Sequence, residues 1–455
     1  MKQILLLFIF ALSCFFATAQ TSNSWINLFD GKTLDGWKKG AGDADYKVEN
    51  GTIVGTTVVA SSNSFLITEK EFDNFVLELE AKIDDTTSNS GIQLRSHADP
   101  NGNNGKGKVF GYQYELDPSS RKWTAGIYDE GRRDWLYPLS LNHAAQSLFK
   151  LHEYNKIKVE CFGNTIRTWI NNVPAAELVD TFDKKGFIGL QVHAVGKAED
   201  AGKKVYFKNI RLMPISKPSA DFSKTVYVMN TIPNNLTAYE KKNGWKLLFN
   251  GTDSKGWKGA YKDGFPDTGW QVKDGLLTVL ASEGKEGGVG GDIVTTDQFS
   301  AFDLSFEFKL STGANSGVKY FVTLQEHNTG SAIGLEYQVL DDKNHPDAKL
   351  GIAGNRTLAS LYDLIPAQKQ DRFVHPIGQW NTGRIIVYPT NHVEHYLNGV
   401  KVLEYDRGSK AYRDLVAISK YKVWDHFGEA AKGYILLQDH GNEVSFRSIK
   451  IRELK

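Results

Sequence analysis

Polar residues set within alternating apolar runs mark where this chain could do chemistry. In GLEYQVLDD (Gly334 to Asp342), strand alternation puts Glu336 and Gln338 on one face and Tyr337 and Val339 on the other. In LLQDHG (Leu436 to Gly441), Gln438 and His440 share a face opposite Leu437 and Asp439. In SGVKYF, the same rule places Lys319 beside Phe321. His440 is the best general base, because imidazole alone among ordinary side chains titrates near neutrality. Glu336 can orient that base, bind hydroxyls or act itself. Lys319 can polarise a carbonyl oxygen, as a fixed cation beside a developing enolate should. Asn315, Gln338, Asp341, Tyr362 and Gln438 are the candidates to hold a substrate. The plainer reading of each residue is a solvated strand face. The chain contains no HExxH, GxSxG, P-loop or EF-hand loop. Its scattered histidines lack zinc spacing, so no metal ligand and no cofactor is assigned. Calcium would suit a loop holding Asp341, Asp342 and Asp347, although an acidic surface turn explains the same residues.

Such residues converge only if the strands carrying them form a sheet. FVLELEAKI (Phe75 to Ile83), KIKVECF (Lys156 to Phe162) and DLSFEFKL (Asp303 to Leu310) all alternate with period two. Asn50-Gly51, Asp274-Gly275 and Asn398-Gly399 are signals for tight hairpins. The chain also repeats itself. WINLFDGKTLDGW (Trp25 to Trp37) matches WKLLFNGTDSKGW (Trp245 to Trp257), and NSGIQLR (Asn89 to Arg95) matches NSGVKYF (Asn315 to Phe321). LQVH (Leu190 to His193) matches LQDH (Leu437 to His440). Six such matches run in one order at offsets of 220 to 247, which predicts two homologous domains, 24–215 and 243–455. The 216–242 stretch reads as a connector packed along the surface. Many strands and short turns in each copy predict an all-β chain of two tandem jelly-roll sandwiches. Trp37 and Trp257 read as core plugs rather than sugar-stacking platforms.

Composition narrows the function classes. Fifty-four basic residues balance 53 acidic ones, which argues against nucleic acid as a partner. Residues 1–19 resemble an export leader: Met1-Lys2, an apolar run from Ile4 to Phe16, then Ala17-Thr18-Ala19. The run is too short to be a transmembrane segment. The mature chain is therefore expected in the periplasm from Gln20, with acylation at Cys14 (lipoprotein anchoring) or full secretion as the alternatives. Cys161 then stands alone and reads as a small buried hydrophobe.

The order LFNGTDSKGW, NSGVKYF, LEYQVLDD, VEHYLNGV and LLQDHGNEVSFRSIKIREL resembles the 3-keto-disaccharide hydrolase domain family. The first half resembles it in a variant form, through NSGIQLRS, GYQYELDPS, GIYDEGRRDWL and LQVH. The resemblance implies a concanavalin A-like jelly roll acting on glycosides oxidised to a ketone at carbon 3. An upstream sugar-3-oxidising dehydrogenase would supply that substrate. It also implies an elimination chemistry needing one base and one enolate stabiliser. This chain departs from the pattern in two places. The arginine usual after the NSG strand is kept as Arg95 but is Phe321 in the second copy. The ExQ pair is Glu336 and Gln338 in the second copy but reads Gln113 and Glu115 in the first. The second domain is therefore expected to be catalytic, through His440, Glu336 and Lys319. The first is expected to be a variant catalytic or sugar-binding domain using Arg95, Glu115 and His193. The competing functions are a non-catalytic lectin-like protein and a family-16-type glucanase. The latter is disfavoured because only Glu115 and Asp117 share a face in GYQYELDP, short of a three-carboxylate strand.

Overall fold

The computed structural model describes residues 24–219, 222–285, 287, 289–324 and 332–455. The leader expectation and Cys14 lie outside them. Alternation becomes antiparallel sheet throughout both copies. In the first, a seven-stranded sheet contains Ser64–Phe72, Ser90–Asp99, Lys108–Leu116, Ile127–Glu130 and Gly186–Val192, and it faces a nine-stranded sheet. In the second, Trp257–Gly259, Ile293–Phe299, Gly433–Leu437, Asn315–Thr323 and Ile333–Leu340 form a five-stranded sheet in that order, against an eight-stranded one. Each core lies between its two sheets. Leu304, Phe306 and Phe308 of one sheet meet Val318, Tyr320 and Tyr337 of the other, all fully buried. The fold is an all-β pair of two-sheet sandwiches.

The turn signals and core plugs do what their chemistry demands. Asn50-Gly51, Asp274-Gly275 and Asn398-Gly399 all adopt positive φ, the conformation a two-residue type I′ hairpin needs. Trp37 and Trp257 are buried, and their indole N–H groups donate to the Leu28 and Leu248 carbonyls at 2.6 Å each. Cys161 is buried in the first core, which pushes its thiol up to about 12. It is a packing residue, unreactive at physiological pH.

The connector is built into the fold rather than laid over it. Val228–Asn230 adds a parallel edge strand to Val173–Val179 of the first domain. Tyr227 is buried; its hydroxyl donates to Ser305 Oγ of the second domain, and its carbonyl accepts from Tyr137 of the first. Ala238–Lys242 is a short helix closed by a Thr237–Glu240 capping box. Glu240 in that helix is fully buried and pairs with Lys450 at 2.6 Å.

Candidate active site

The second copy's five-stranded sheet turns one face to the core and the other to a buried layer of polar side chains beneath the loops. Lys319 and Glu336 are direct cross-strand partners on that polar face, 5% and 4% exposed. Burying both needs compensating partners, because an isolated charge out of water is costly. Lys319 Nζ lies 3.7 Å from Asp292 Oδ2 and 3.4 Å from the Ala332 carbonyl. Asp292 is held in turn by the Asp439 backbone N–H at 2.9 Å. Gln338 is fully buried, and its amide nitrogen donates to Glu336 Oε1 and the Ser316 carbonyl, each at 3.2 Å. Its other amide atom meets the Asn315 side chain at 3.2 Å. Gly317 makes the arrangement fit: a Cβ there would fall 2.2 Å from Glu336 Oε1.

Two further groups close over this floor. Tyr362 follows the bridge between Leu361 and Tyr337, and its N–H donates to the Glu336 carbonyl at 3.0 Å. Burial, then the nearby Glu336 and Asp347 carboxylates, raises its phenol above the ordinary tyrosine range. Lys420 projects from the segment after the Lys410–Ile418 helix, its ammonium 4.2 Å from the Tyr362 ring centre. Its side chain is exposed. The protein mass around it and the second cation, Lys319, lower its pKa, while Glu336 pulls the other way. Arg356 braces the far wall, pairing with Asp347 at 3.0 Å and Asp363 at 2.7 Å.

Gln438 and His440 follow directly on the neighbouring Gly433–Leu437 strand. The Gln438 N–H donates to the Gly317 carbonyl at 3.0 Å, so the two strands stay in register at the cleft floor. Among the described residues, Gln438 Oε1 and His440 Nδ1 are buried atoms without a hydrogen-bond partner. Buried polar atoms are normally satisfied, which makes both atoms candidates to meet a ligand. His440 is half-buried and packs edge-on against His345 at 5.6 Å. It does not point into the core. The core histidine is His395, whose pKa burial depresses to about 4.

Four sequence expectations are corrected. Phe321 does not share a face with Lys319: a bulge with φ of +51° at Phe321 turns its ring into the core beside Tyr320. Arg95 sits at the equivalent bulge, 1% exposed, and spends its guanidinium on the Asp73 and Gly163 carbonyls at 2.7 Å each. It ties loops together and touches no cleft. In the second copy Arg407 does this from elsewhere, lying 3.8 Å from the Phe321 ring and donating to the Gly428 and Ala430 carbonyls. Asp341 closes its own turn, accepting from Gly313 N–H at 2.8 Å and from Asn344 Nδ2 at 2.7 Å. Burial opposes ionisation there, but these bonds hold Asp341 below the ordinary range. The calcium loop dissolves for the same reason: Asp342 pairs with Lys369 at 2.9 Å and Asp347 with Arg356. Among the described residues the donors close enough to share a cation are His392, Glu394 and Glu404, on the other sheet. Lys401 already bonds both glutamates, at 3.2 and 2.5 Å.

The first copy builds the same floor with different charges. Gln93 faces Gln113 at the register position of Lys319 and Glu336, and Gly91 leaves the matching gap. The carboxylate moves one step along, to Glu115, which accepts from Asn89 at 2.6 Å and Gln113 at 2.9 Å. His193 lies exposed at the rim, its Nδ1 held by the Ala194 carbonyl at 2.7 Å.

The 3-keto-alpha-glucoside-1,2-lyase-like domain model matches residues 24–213 and again 244–452. The chain belongs to this family. It carries two tandem copies of the domain. A 3-keto-disaccharide hydrolase of Bacteroides thetaiotaomicron is 39% identical over 232 residues, which is 46% of this chain and 79% of that protein. A putative glycosyl hydrolase from Parabacteroides distasonis aligns at 31% identity over 49% of this chain and all of that one, with a TM-score of 0.43. A second from the same organism aligns at 28% identity over 46% of this chain and 99% of its own, with a TM-score of 0.35. Family membership follows from order and spacing along the whole chain. The residues that sequence reasoning missed, Lys420, Arg356, His345 and Asp292, come from loops outside the shared strands. Only tertiary packing brings them to the cleft.

Proposed function

We propose that the second domain cleaves the glycosidic bond of 3-keto-glycosides by elimination. The observation that carries this reading is the Lys319–Glu336 pair. It is buried on the cleft face of the second copy and replaced by Gln93–Gln113 in the first. A binding site for neutral sugars has no need of a buried ammonium. A reaction that develops negative charge on a carbonyl oxygen does.

A base removes the hydrogen on carbon 2, and its electron pair forms the enolate of the 3-keto group. The enolate then re-forms the ketone as the C1–O bond breaks. This leaves a C1–C2 double bond and an alkoxide that takes up a proton as the departing alcohol. Addition of water across that double bond completes a net hydrolysis. His440, with its unengaged Nδ1, is the base. Lys319 holds the developing enolate oxygen, with Lys420 as a second cation at the cleft mouth. Glu336, Gln338, Asn315 and Gln438 engage sugar hydroxyls, and Tyr362 walls the reacting ring. The leader-like residues 1–19 support a periplasmic location for the mature chain. There a sugar-3-oxidising dehydrogenase would supply its substrate.

The test is turnover of 3-keto-trehalose and 3-keto-sucrose beside their unoxidised parents. Only the keto compounds should be cleaved, and His440→Ala should cost ~10²–10⁴-fold with the fold intact. Undiminished activity in His440→Ala would remove it as the base. Equal cleavage of the unoxidised parents would remove the elimination altogether.

A further inference from the structure

The first domain carries a cleft that the proposed reaction does not use. It encloses about 340 Å3 and is lined by Asn63, Asn89, Glu115, Glu130 and Gln191, with Tyr128 and Trp135 on one wall. That is within the size range of small-ligand pockets, ~300–1,000 Å3. Its far side is not made by its own domain: Arg372 and Phe373 of the second domain complete it. Phe373 is fixed there against Trp123, ring centres 5.2 Å apart, and Trp123 packs edge-on against Trp135 at 4.7 Å.

The floor alternates amides and carboxyls. Asn63 Nδ2 donates to Glu130 Oε1 at 2.9 Å, and Gln191 Nε2 reaches Glu130 Oε2 at 3.3 Å. Gln93 donates to Gln113, which donates to Glu115 at 2.9 Å. Gln191 is 0% exposed, and its Oε1 has no hydrogen-bond partner among the described residues. That buried acceptor lacks a donor, and the cleft is where a donor must come from. Where the second domain's floor holds Lys319, this one holds Gln93.

We infer that this cleft is a second ligand site, closed across the domain interface, for the hydroxyl face of a neutral pyranoside. Hydroxyls both donate and accept, so they match a floor of alternating amides and carboxyls. The aromatic wall suits the apolar face of a sugar ring. The floor holds no ammonium and Arg121 on the wall is paired with Asp117 at 2.8 Å, so the site binds its sugar and does not stabilise an enolate. The inference rests on the carbohydrate reading of the second domain only for the choice of probe.

The experiment titrates the full chain with methyl α-glucopyranoside and methyl β-glucopyranoside by calorimetry, following tryptophan fluorescence in parallel. Saturable binding of at least one anomer is expected. Gln191→Leu and Glu130→Gln should each weaken it on the order of tenfold. Phe373→Ala should weaken it less, and Glu336→Gln should leave it unchanged. Turnover of 3-keto-trehalose should be unaffected by Gln191→Leu and Glu130→Gln. Absence of saturable binding up to about 10 mM of either probe overturns the inference. So does binding that survives both first-domain variants but is lost in Glu336→Gln, which would place the sugar in the second domain. Failure of all 3-keto turnover with binding intact would overturn the proposed reaction and leave this site standing.

Discussion

Lys319 and Glu336 show how much one cross-strand pair can separate two copies of one domain. The strands, the glycine and the flanking amides are shared, while the charges differ. Replacing Lys319 by Met keeps most of the stem beside its cross-strand neighbour Leu436 and removes the ammonium. We expect the loss to fall on kcat for a 3-keto-glycoside, by roughly 10²-fold or more, as for other groups that stabilise a developing oxyanion. Steady-state kinetics check it; a rise in KM alone would mean that Lys319 only binds the ground state. In the first copy, burial raises Glu115 from 4.5 to about 7, with Asp117 and Glu130 adding repulsion and Asn89 and Gln113 opposing it. The folded state therefore holds a proton that the unfolded chain releases. This contribution is fully present below about pH 4.5, declines as pH rises toward 7, and is flat above that. A shift of this size is worth roughly 3 kcal/mol across that window. Glu115→Gln should flatten that part of the stability–pH profile, as read by chemical denaturation between those pH values. An unchanged slope would mean that Glu115 is ionised in the fold.

At the scale of the strand, glycines and bulges decide which side chains reach the cleft. Gly317 and Gly433 lie on adjacent strands of one sheet but serve different ends. A Cβ at Gly317 would strike Glu336 Oε1 at 2.2 Å, the end of a side chain, whereas one at Gly433 would strike Phe321 backbone at 2.4 Å. Gly317→Ala should therefore displace Glu336 and cut turnover at least about tenfold with a modest change in Tm. Gly433→Ala should destabilise by ~1–3 kcal/mol through overpacking. Thermal melts and turnover of the same two variants separate the effects, and the reverse pattern would mean that the gap at Gly317 is not what seats Glu336. The bulges at Arg95 and Phe321 explain why a plain period of two misplaced one side chain. One extra residue turns everything beyond it to the opposite face.

At the scale of the whole molecule, the connector decides how independent the halves are. A fragment covering 24–215 lacks the Val228–Asn230 strand and leaves Val173–Val179 as an open edge. A fragment extended to residue 235 keeps that strand. We expect both to fold, with the longer one melting cooperatively at higher temperature and the shorter one prone to aggregation. Calorimetry and light scattering check this; equal behaviour would mean that the connector strand adds no stability. We expect mass spectrometry of the protein isolated from its native cells to find Gln20 at its start; an acylated Cys14 would establish a lipid anchor instead.

The sequence alone determined the repeat, the strand period, the tight turns and the tryptophan plugs, because each depends on residues close together in the chain. It also set Glu336 and Gln338 on one strand face, because alternation along a strand is local and obeyed wherever no bulge intervenes, whereas the pairing of Lys319 with Glu336 is a cross-strand register that only the sheet supplies. Tertiary structure alone decided which charges those residues meet. Lys420 arrives from a segment some 80 residues beyond Glu336, and Asp292 from an earlier strand edge. Arg372 and Phe373 complete a cleft in the other domain. Only packing could reveal that the guanidinium of Arg95 is spent on backbone carbonyls, because polar type states what a side chain can bond to and not what it meets. Electrostatics follows distance in space, and strand periodicity carries no information about loops that fold back from far along the chain.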